Sequence, residues 1–132
     1  MAGVAPDRPP VIMPGFVAAA DLSAKQYHIA LYSAANKLTV ASAATDLMVG
    51  VIYNEPYTGE PIELVPPGQV CLMIVDGNAG AIVPGTRLTS DASGHGIATV
   101  TNLDRVIAIA LDNSSAAGDV ICVALIPSDV SL

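Results

Sequence analysis

The most constraining feature of this sequence is a series of short β-prone runs separated by turn-forming residues. Nine runs of three to seven residues are rich in Val, Ile, Leu, Thr and Tyr, and Gly, Pro, Asn or Asp stand between most of them. Such regular short runs without a helical period are typical of a β-sandwich or β-barrel. We therefore predict an all-β protein with strands at 27–32, 38–40, 47–53, 62–65, 70–75, 87–89, 97–100, 106–111 and 120–126. A short helix is conceivable at 41–46, and a short helix or a turn at 18–25.

The first 16 residues differ from the rest because they hold four of the chain's prolines. Proline lacks a backbone N–H, so this stretch can form neither a helix nor a continuous strand ladder. We predict an extended N-terminal arm over 1–16 and a single β domain over 17–132. A floppy tail is the alternative, but the arm also carries apolar side chains that a partner could cover. The candidate contact residues are Val11, Ile12, Met13 and Phe16.

Two stretches of the chain share one pattern. An apolar strand is followed by a polar loop, and then Gly and an acidic residue open a second strand, at 46–66 and again at 104–124. The pattern predicts a hairpin-like unit that is used twice, although coincidence is the alternative because such patterns are common in β proteins.

Composition limits the classes of partner. Charged residues make up 13% of the chain, about half the usual ~25%, while hydrophobic residues make up 52%. A surface so poor in charge predicts apolar contact with a partner. The net charge of −7, with only five scattered basic residues, argues against binding to nucleic acid or to an anionic membrane. No apolar run is long enough for a transmembrane helix, and the N-terminus lacks a signal-peptide pattern.

No motif for catalysis or metal binding is recognisable. His28 and His95 lack a second ligand at the spacing that a zinc site needs, and neither a phosphate-binding loop nor a nucleophile elbow is present. Cys71 and Cys122 lie in apolar runs and predict buried thiols, with a disulfide only if neighbouring strands align them. We predict neither enzymatic activity nor a cofactor.

A cluster of acidic residues lies around two prolines. A pair of carboxylates could perform acid–base chemistry, but the chain has no Trp and one Phe to build the aromatic platforms of a sugar-binding cleft. A solvated negative loop is therefore the better interpretation of Glu55, Glu60 and Glu63.

From about residue 45 onward, the order of several motifs resembles the capsid-decoration (cement) proteins of tailed phages. The shared elements are a Gly-Val strand, a Gly-opened strand, a long hairpin, a further apolar strand and a closing Gly-Asp strand, at 46–51, 59–62, 81–94, 106–111 and 118–123. The resemblance covers roughly two-thirds of the chain. It departs from that family at Ala108, where Gly is frequent, and at Thr86, which replaces an acid.

This resemblance implies a small β-barrel or β-tulip-like structural protein of the virion, made in the host cytoplasm. It implies a homotrimer on the outer capsid surface, at local three-fold axes, that cements subunits of the major capsid protein. One alternative is another virion β-protein of the tail or baseplate. The other is a carbohydrate-binding β-sandwich, which would need exposed aromatic side chains such as Tyr27, Tyr32, Tyr53 and Tyr57.

Overall fold

The computed structural model describes residues 10–99 and 104–130, with the side chains of 128–130 left undescribed. Over these residues the chain is all-β, as predicted, and contains no helix. The strands are β1 (Met13–Ala18), β2 (Ile29–Ala34), β3 (Lys37–Val40), β4 (Met48–Ile52), β5 (Pro61–Val65), β6 (Val70–Asp76), β7 (Arg87–Ser90), β8 (Gly96–Ala98), β9 (Arg105–Ala110) and β10 (Ala117–Val130).

The strands form two closed five-stranded barrels, β1–β5 and β6–β10, with the same topology. In each barrel the first strand pairs in parallel with the third and antiparallel with the fifth. The second strand pairs with the third and the fourth, and the fourth pairs with the fifth. Closure pairs every strand on both sides, which removes the free sheet edges that cause aggregation in open sheets.

The two barrels are a structural repeat, and this confirms the hairpin-like unit predicted twice from the sequence. Its two copies occupy β4–β5 and β9–β10. Tyr27 and Asn36 are the non-glycine residues with positive φ in the described chain, and glycines with positive φ stand 58 positions later, at 85 and 94. Backbone hydrogen bonds repeat at the same offset: Tyr27 N to Ile52 O and Gly85 N to Ala110 O, Ile52 N to His28 O and Ala110 N to Thr86 O, Ala41 N to Ile29 O and Thr99 N to Arg87 O.

β1 is the strand that the sequence did not predict. It begins at Met13, so the last four residues of the predicted arm lie in the first barrel, while residues 1–9 of the arm lie outside the described residues. Pro14 and Gly15 are tolerated because the register of β1 against β5 shifts between Met13 and Phe16, and Gly15 has a φ of 105°. A bulge of this kind leaves one residue unpaired, which is where a strand can accept proline.

The segments conceived as short helices form turns and irregular structure instead. In the 41–46 segment Oδ2 of Asp46 accepts hydrogen bonds from the N–H groups of Ser42 and Ala43, at 2.9 and 3.1 Å, and holds the backbone in a turn. Aspartate competes with helical hydrogen bonding in this way when it lies close to free backbone N–H groups. The helix prediction is therefore wrong at 41–46, whereas 18–25 contains the turn that was predicted there as the alternative to a helix.

Two apolar clusters form the core. The smaller cluster fills the first barrel, and the larger one fills the second barrel and extends into the space between the barrels. Neighbouring residues on three strands of the first barrel divide between the two clusters because strand side chains alternate in direction. Three of these residues belong to the larger cluster and point toward the second barrel: Ile29, Val51 and Val65. Their sequence neighbours Ala30, Ile52 and Leu64 belong to the smaller cluster. The barrels therefore share apolar packing.

Both cysteines are free and buried, as predicted. They lie on adjacent strands, with Cys71 directly opposite Val123 and Cys122 directly opposite Leu72. Because Cys122 is offset by one residue from the partner of Cys71, their side chains leave opposite faces of the sheet, which excludes a disulfide in this register. Burial raises the pKa of the Cys71 thiol to about 12, so this thiol is unreactive at neutral pH.

Candidate contact surface

One candidate for a partner-binding surface is an open apolar groove at one end of the first barrel. At this end β1 and β4 begin and β2 and β5 finish, and two prolines from later parts of the chain complete the wall. The groove encloses about 280 Å³ and is lined by Met13, Tyr32, Leu47, Met48, Val49, Leu64, Pro67 and Pro127. None of these side chains carries a charge.

The rim of the groove exposes large apolar side chains. Leu47 is 52% exposed, Tyr32 is 49% exposed and Met13 is 41% exposed. The ring of Phe16 is half-buried, and its centroid lies 5.8 Å from that of Tyr32. A cluster of exposed apolar side chains on one face indicates a contact surface, whereas the same residues scattered singly would need no explanation.

The four predicted contact residues do not all reach this surface. Met13 lines the groove, and Phe16 contacts the groove through Tyr32. Val11 is 67% exposed beside β6, where its N–H donates to Oε1 of Gln69 at 3.2 Å. Ile12 points the other way and packs on the larger apolar cluster. Their role in binding stays a prediction.

Sequence reasoning did not select Tyr32 and Leu47 as contact residues, although both lie in predicted strands. Each lies where a strand of the first barrel starts or stops, and a side chain there extends past the packed interior. The available signal was position: both are large apolar residues at the boundary between a strand and a polar turn.

Comparison with known proteins gives a match at the level of fold. No family model matches the chain, and no similar sequence was found among curated proteins. A solved structure, the head fiber gp8.5 N base in bacteriophage phi29, superposes with a TM-score of 0.66. The match covers 92% of this chain and 98% of that one at 16% sequence identity, so it establishes a shared fold across nearly the whole gp8.5 N base.

The acidic cluster is solvated, as predicted, although Glu63 lies in strand β5 rather than in a loop. Glu55, Glu60 and Glu63 are all exposed. One carboxylate has a local structural task, since Oε1 of Glu60 accepts the N–H of Tyr57 at 2.7 Å and closes the turn before β5. Within the described part of the chain no group of three or more His, Cys, Asp or Glu side chains is arranged to hold a metal ion, and no helix could span a membrane.

The predicted sugar-binding tyrosines do not form one platform. Tyr27 and Tyr53 are half-buried and contact each other edge to face, with ring centroids 6.5 Å apart. Tyr57 is 61% exposed in the loop before β5, and Tyr32 lies at the groove, whose lining does not include the other three tyrosines.

Asp112 occupies the position in the second barrel that Asn54 occupies in the first, so a buried carboxylate replaces an amide there. In the first barrel Asn54 uses both side-chain atoms: Oδ1 accepts the N–H of Glu63 at 3.0 Å and Nδ2 donates to the carbonyl of Pro61 at 3.1 Å. Its counterpart Asp112, which is 7% exposed, accepts the N–H of Asn113 with Oδ1. Its Oδ2 is buried and has no hydrogen-bond partner among the described residues. An unsatisfied buried oxygen costs about 1–3 kcal/mol.

We therefore expect Asp112→Asn to stabilise the protein by about 1 kcal/mol, because an amide can keep the Oδ1 contact and avoids burying a charge. The expected rise in Tm is a few degrees at neutral pH. Asp76→Asn is the control, since Oδ1 of Asp76 accepts the N–H of Asn78 near the surface and an amide oxygen can replace it. A Tm for Asp112→Asn at or below that of the control would contradict the explanation.

Proposed function

We propose that this protein is a structural component of a tailed-phage head that binds the outer surface of the capsid and cements subunits of the major capsid protein. In this proposal it acts as a homotrimer at local three-fold axes. Its function is contact rather than catalysis, and it requires no cofactor.

The observation that carries the proposal is the fold match. The gp8.5 N base belongs to a head fiber of phage phi29, and this chain aligns with 98% of that structure while leaving little of its own length unmatched. A shared fold alone does not give a shared function, but here the motif order of the sequence, compared independently, resembles the decoration proteins of phage heads.

The groove supplies a surface with the chemistry that such an attachment needs. The centre of a protein–protein interface is depleted in charge and enriched in aromatic residues and Met, and the groove offers Met13, Tyr32 and Leu47 without a charged side chain. A capsid repeats the same surface many times, so a trimer can engage three equivalent sites and bind tightly although each contact is weak. We assign the groove, with Phe16 beside it, to the capsid contact, and Val11 beside β6 stays a separate candidate.

The experiment is reconstitution on shells. Purified full-length protein is mixed with empty, expanded capsids of the phage that encodes it, and binding is followed by co-sedimentation and electron cryo-microscopy. We expect saturable binding and added density at three-fold positions, with light scattering that gives three times the chain mass. Absence of co-sedimentation, or density confined to the tail of complete virions, would overturn the proposal. Binding to a glycan array without binding to capsids would favour the carbohydrate-binding alternative.

A further inference from the structure

The chain has two histidines, and the fold brings them together across the joint between the barrels. His28 immediately precedes β2 of the first barrel, and His95 lies in the turn between β7 and β8 of the second. Their ring centroids are 5.0 Å apart with an interplanar angle of 58°. His28 is 5% exposed, and the side chain of His95 is 24% exposed.

The surrounding hydrogen bonds identify which nitrogen of His28 can take up a proton. Nδ1 of His28 lies 3.1 Å from the carbonyl oxygen of Gln26. A carbonyl oxygen can only accept, so Nδ1 carries the proton of the neutral ring and Nε2 is the nitrogen that titrates. The charged groups described around the pair are Lys25 beside His28, and Asp91, whose Oδ2 lies 3.9 Å from Nδ1 of His95.

The same region holds two of the backbone hydrogen bonds that join the barrels. Ile29 N–H donates to the carbonyl of Gly94 at 2.9 Å, and Ile74 N–H donates to the carbonyl of Tyr27 at 3.0 Å. Both bonds cross from one barrel to the other, and each involves a residue adjacent in sequence to His28. Movement of either imidazole ring would therefore disturb the joint.

We propose that the contact between His28 and His95 makes the packing between the barrels acid-sensitive: stable while the buried ring of His28 is neutral, and weakened when that ring takes up a proton. A charged His28 is repelled by the positive charges of His95 and Lys25. Asp91 lies beside His95 and offsets the charge of His95 rather than that of His28.

The direction of the pH effect follows from the burial of His28. Burial, and then the neighbouring positive charges, lower the pKa of His28 below its ordinary value of 6.5, while the hydrogen bond to Gln26 opposes that change. An unfolded or separated His28 therefore binds its proton at higher pH than the packed one. The stabilisation is complete above about pH 6.5 and is lost progressively as the pH falls toward the lowered pKa.

Amide hydrogen exchange on the full-length protein tests the proposal, in buffer that contains EDTA so that no metal bridges the rings. The readout is the protection of Ile29 and Ile74, whose bonds cross the joint, relative to Ala110, whose N–H donates within the second barrel to the carbonyl of Thr86 at 2.9 Å. Between pH 7.5 and pH 5.5 we expect this relative protection to fall severalfold, because the packed His28 has a lowered pKa and the separated one does not. An unchanged ratio would overturn the proposal.

Two variants separate the histidine contact from general acid sensitivity. In His28→Asn the amide can donate to Gln26 as Nδ1 does but cannot titrate, so the fall in relative protection should disappear. In His95→Gln the repulsion is removed while His28 stays buried, so the fall should become smaller without vanishing. If His28→Asn does not fold, His95→Gln alone decides: a fall as large as in the native protein would show that the pair is not the acid-sensitive element.

Discussion

Replacing Gly50 by Ala is expected to destabilise the protein by about 3–5 kcal/mol, a large part of the stability of a domain of this size. Gly50 lies in β4 between β2 and β5 and has a φ of 153°, a conformation that residues with a Cβ rarely adopt. A Cβ built there would overlap the backbone carbonyl oxygen of Val65 and lie 3.0 Å from Cδ1 of Leu64. The carbonyl belongs to the neighbouring strand and cannot rotate away, so the strands that close the first barrel must separate.

The second barrel supplies a matched comparison for this variant. Ala108 is the counterpart of Gly50, and it pairs with Leu88 as Gly50 pairs with Ala30. Ala108→Gly should therefore cost only about 1 kcal/mol, the penalty for added backbone freedom and lost packing. Gly80→Ala, at a site with no atom within 4 Å of the added methyl, should be close to neutral. Urea unfolding of the three variants measures these differences, and a loss below about 1 kcal/mol for Gly50→Ala would contradict the steric argument.

The strands could be predicted from the sequence because the signal is local. Nine of the ten described strands coincide with apolar runs bounded by turn residues. The tenth, β1, was missed because Pro14 and Gly15 are unfavourable within a strand, and only the shift in its pairing with β5 makes room for them. That shift is a property of two segments about fifty residues apart, and neither segment reveals it alone.

Barrel closure and the candidate surface depend on the same long-range pairing. The sequence indicated one hairpin unit used twice, but it could not show that each copy completes a separate ring, because closure requires parallel pairing of the first and third strands. The exposure of Leu47 follows from its place at the open end of the first ring. The meeting of His28 with His95 follows from the way the two rings pack, and their spacing in the sequence gave no sign of it.

The structure also changes which residue tests the contact surface best. Phe16 is the most conspicuous apolar residue of the predicted arm, but it is half-buried and packs against the smaller apolar cluster. A charge at this position would disturb the barrel itself, so loss of binding would not distinguish attachment from folding. Leu47 precedes β4, is 52% exposed and contributes to the groove, which makes it the sharper probe.

Leu47→Asp is expected to weaken attachment to expanded capsids at least about 100-fold while the Tm of the free protein changes by no more than a few degrees. The free protein leaves this side chain in water, so a carboxylate costs little before binding. In the complex the carboxylate would be buried in a groove lined by uncharged residues, and an unpaired buried charge costs several kcal/mol. A loss of about 2.7 kcal/mol already corresponds to 100-fold.

Val83→Asp is the matched control, because Val83 is 53% exposed and lies on the second barrel, outside the groove. Both variants add one negative charge to a chain of net charge −7, so any general repulsion from the capsid affects them equally. Capsid co-sedimentation across a range of protein concentrations gives the two affinities, and light scattering gives the oligomeric state of each variant. Equal binding by the two variants would show that the groove does not contact the capsid. Loss of self-association by Leu47→Asp alone would instead assign the groove to contact between copies of the chain, and the capsid-facing surface would then lie elsewhere on the barrels.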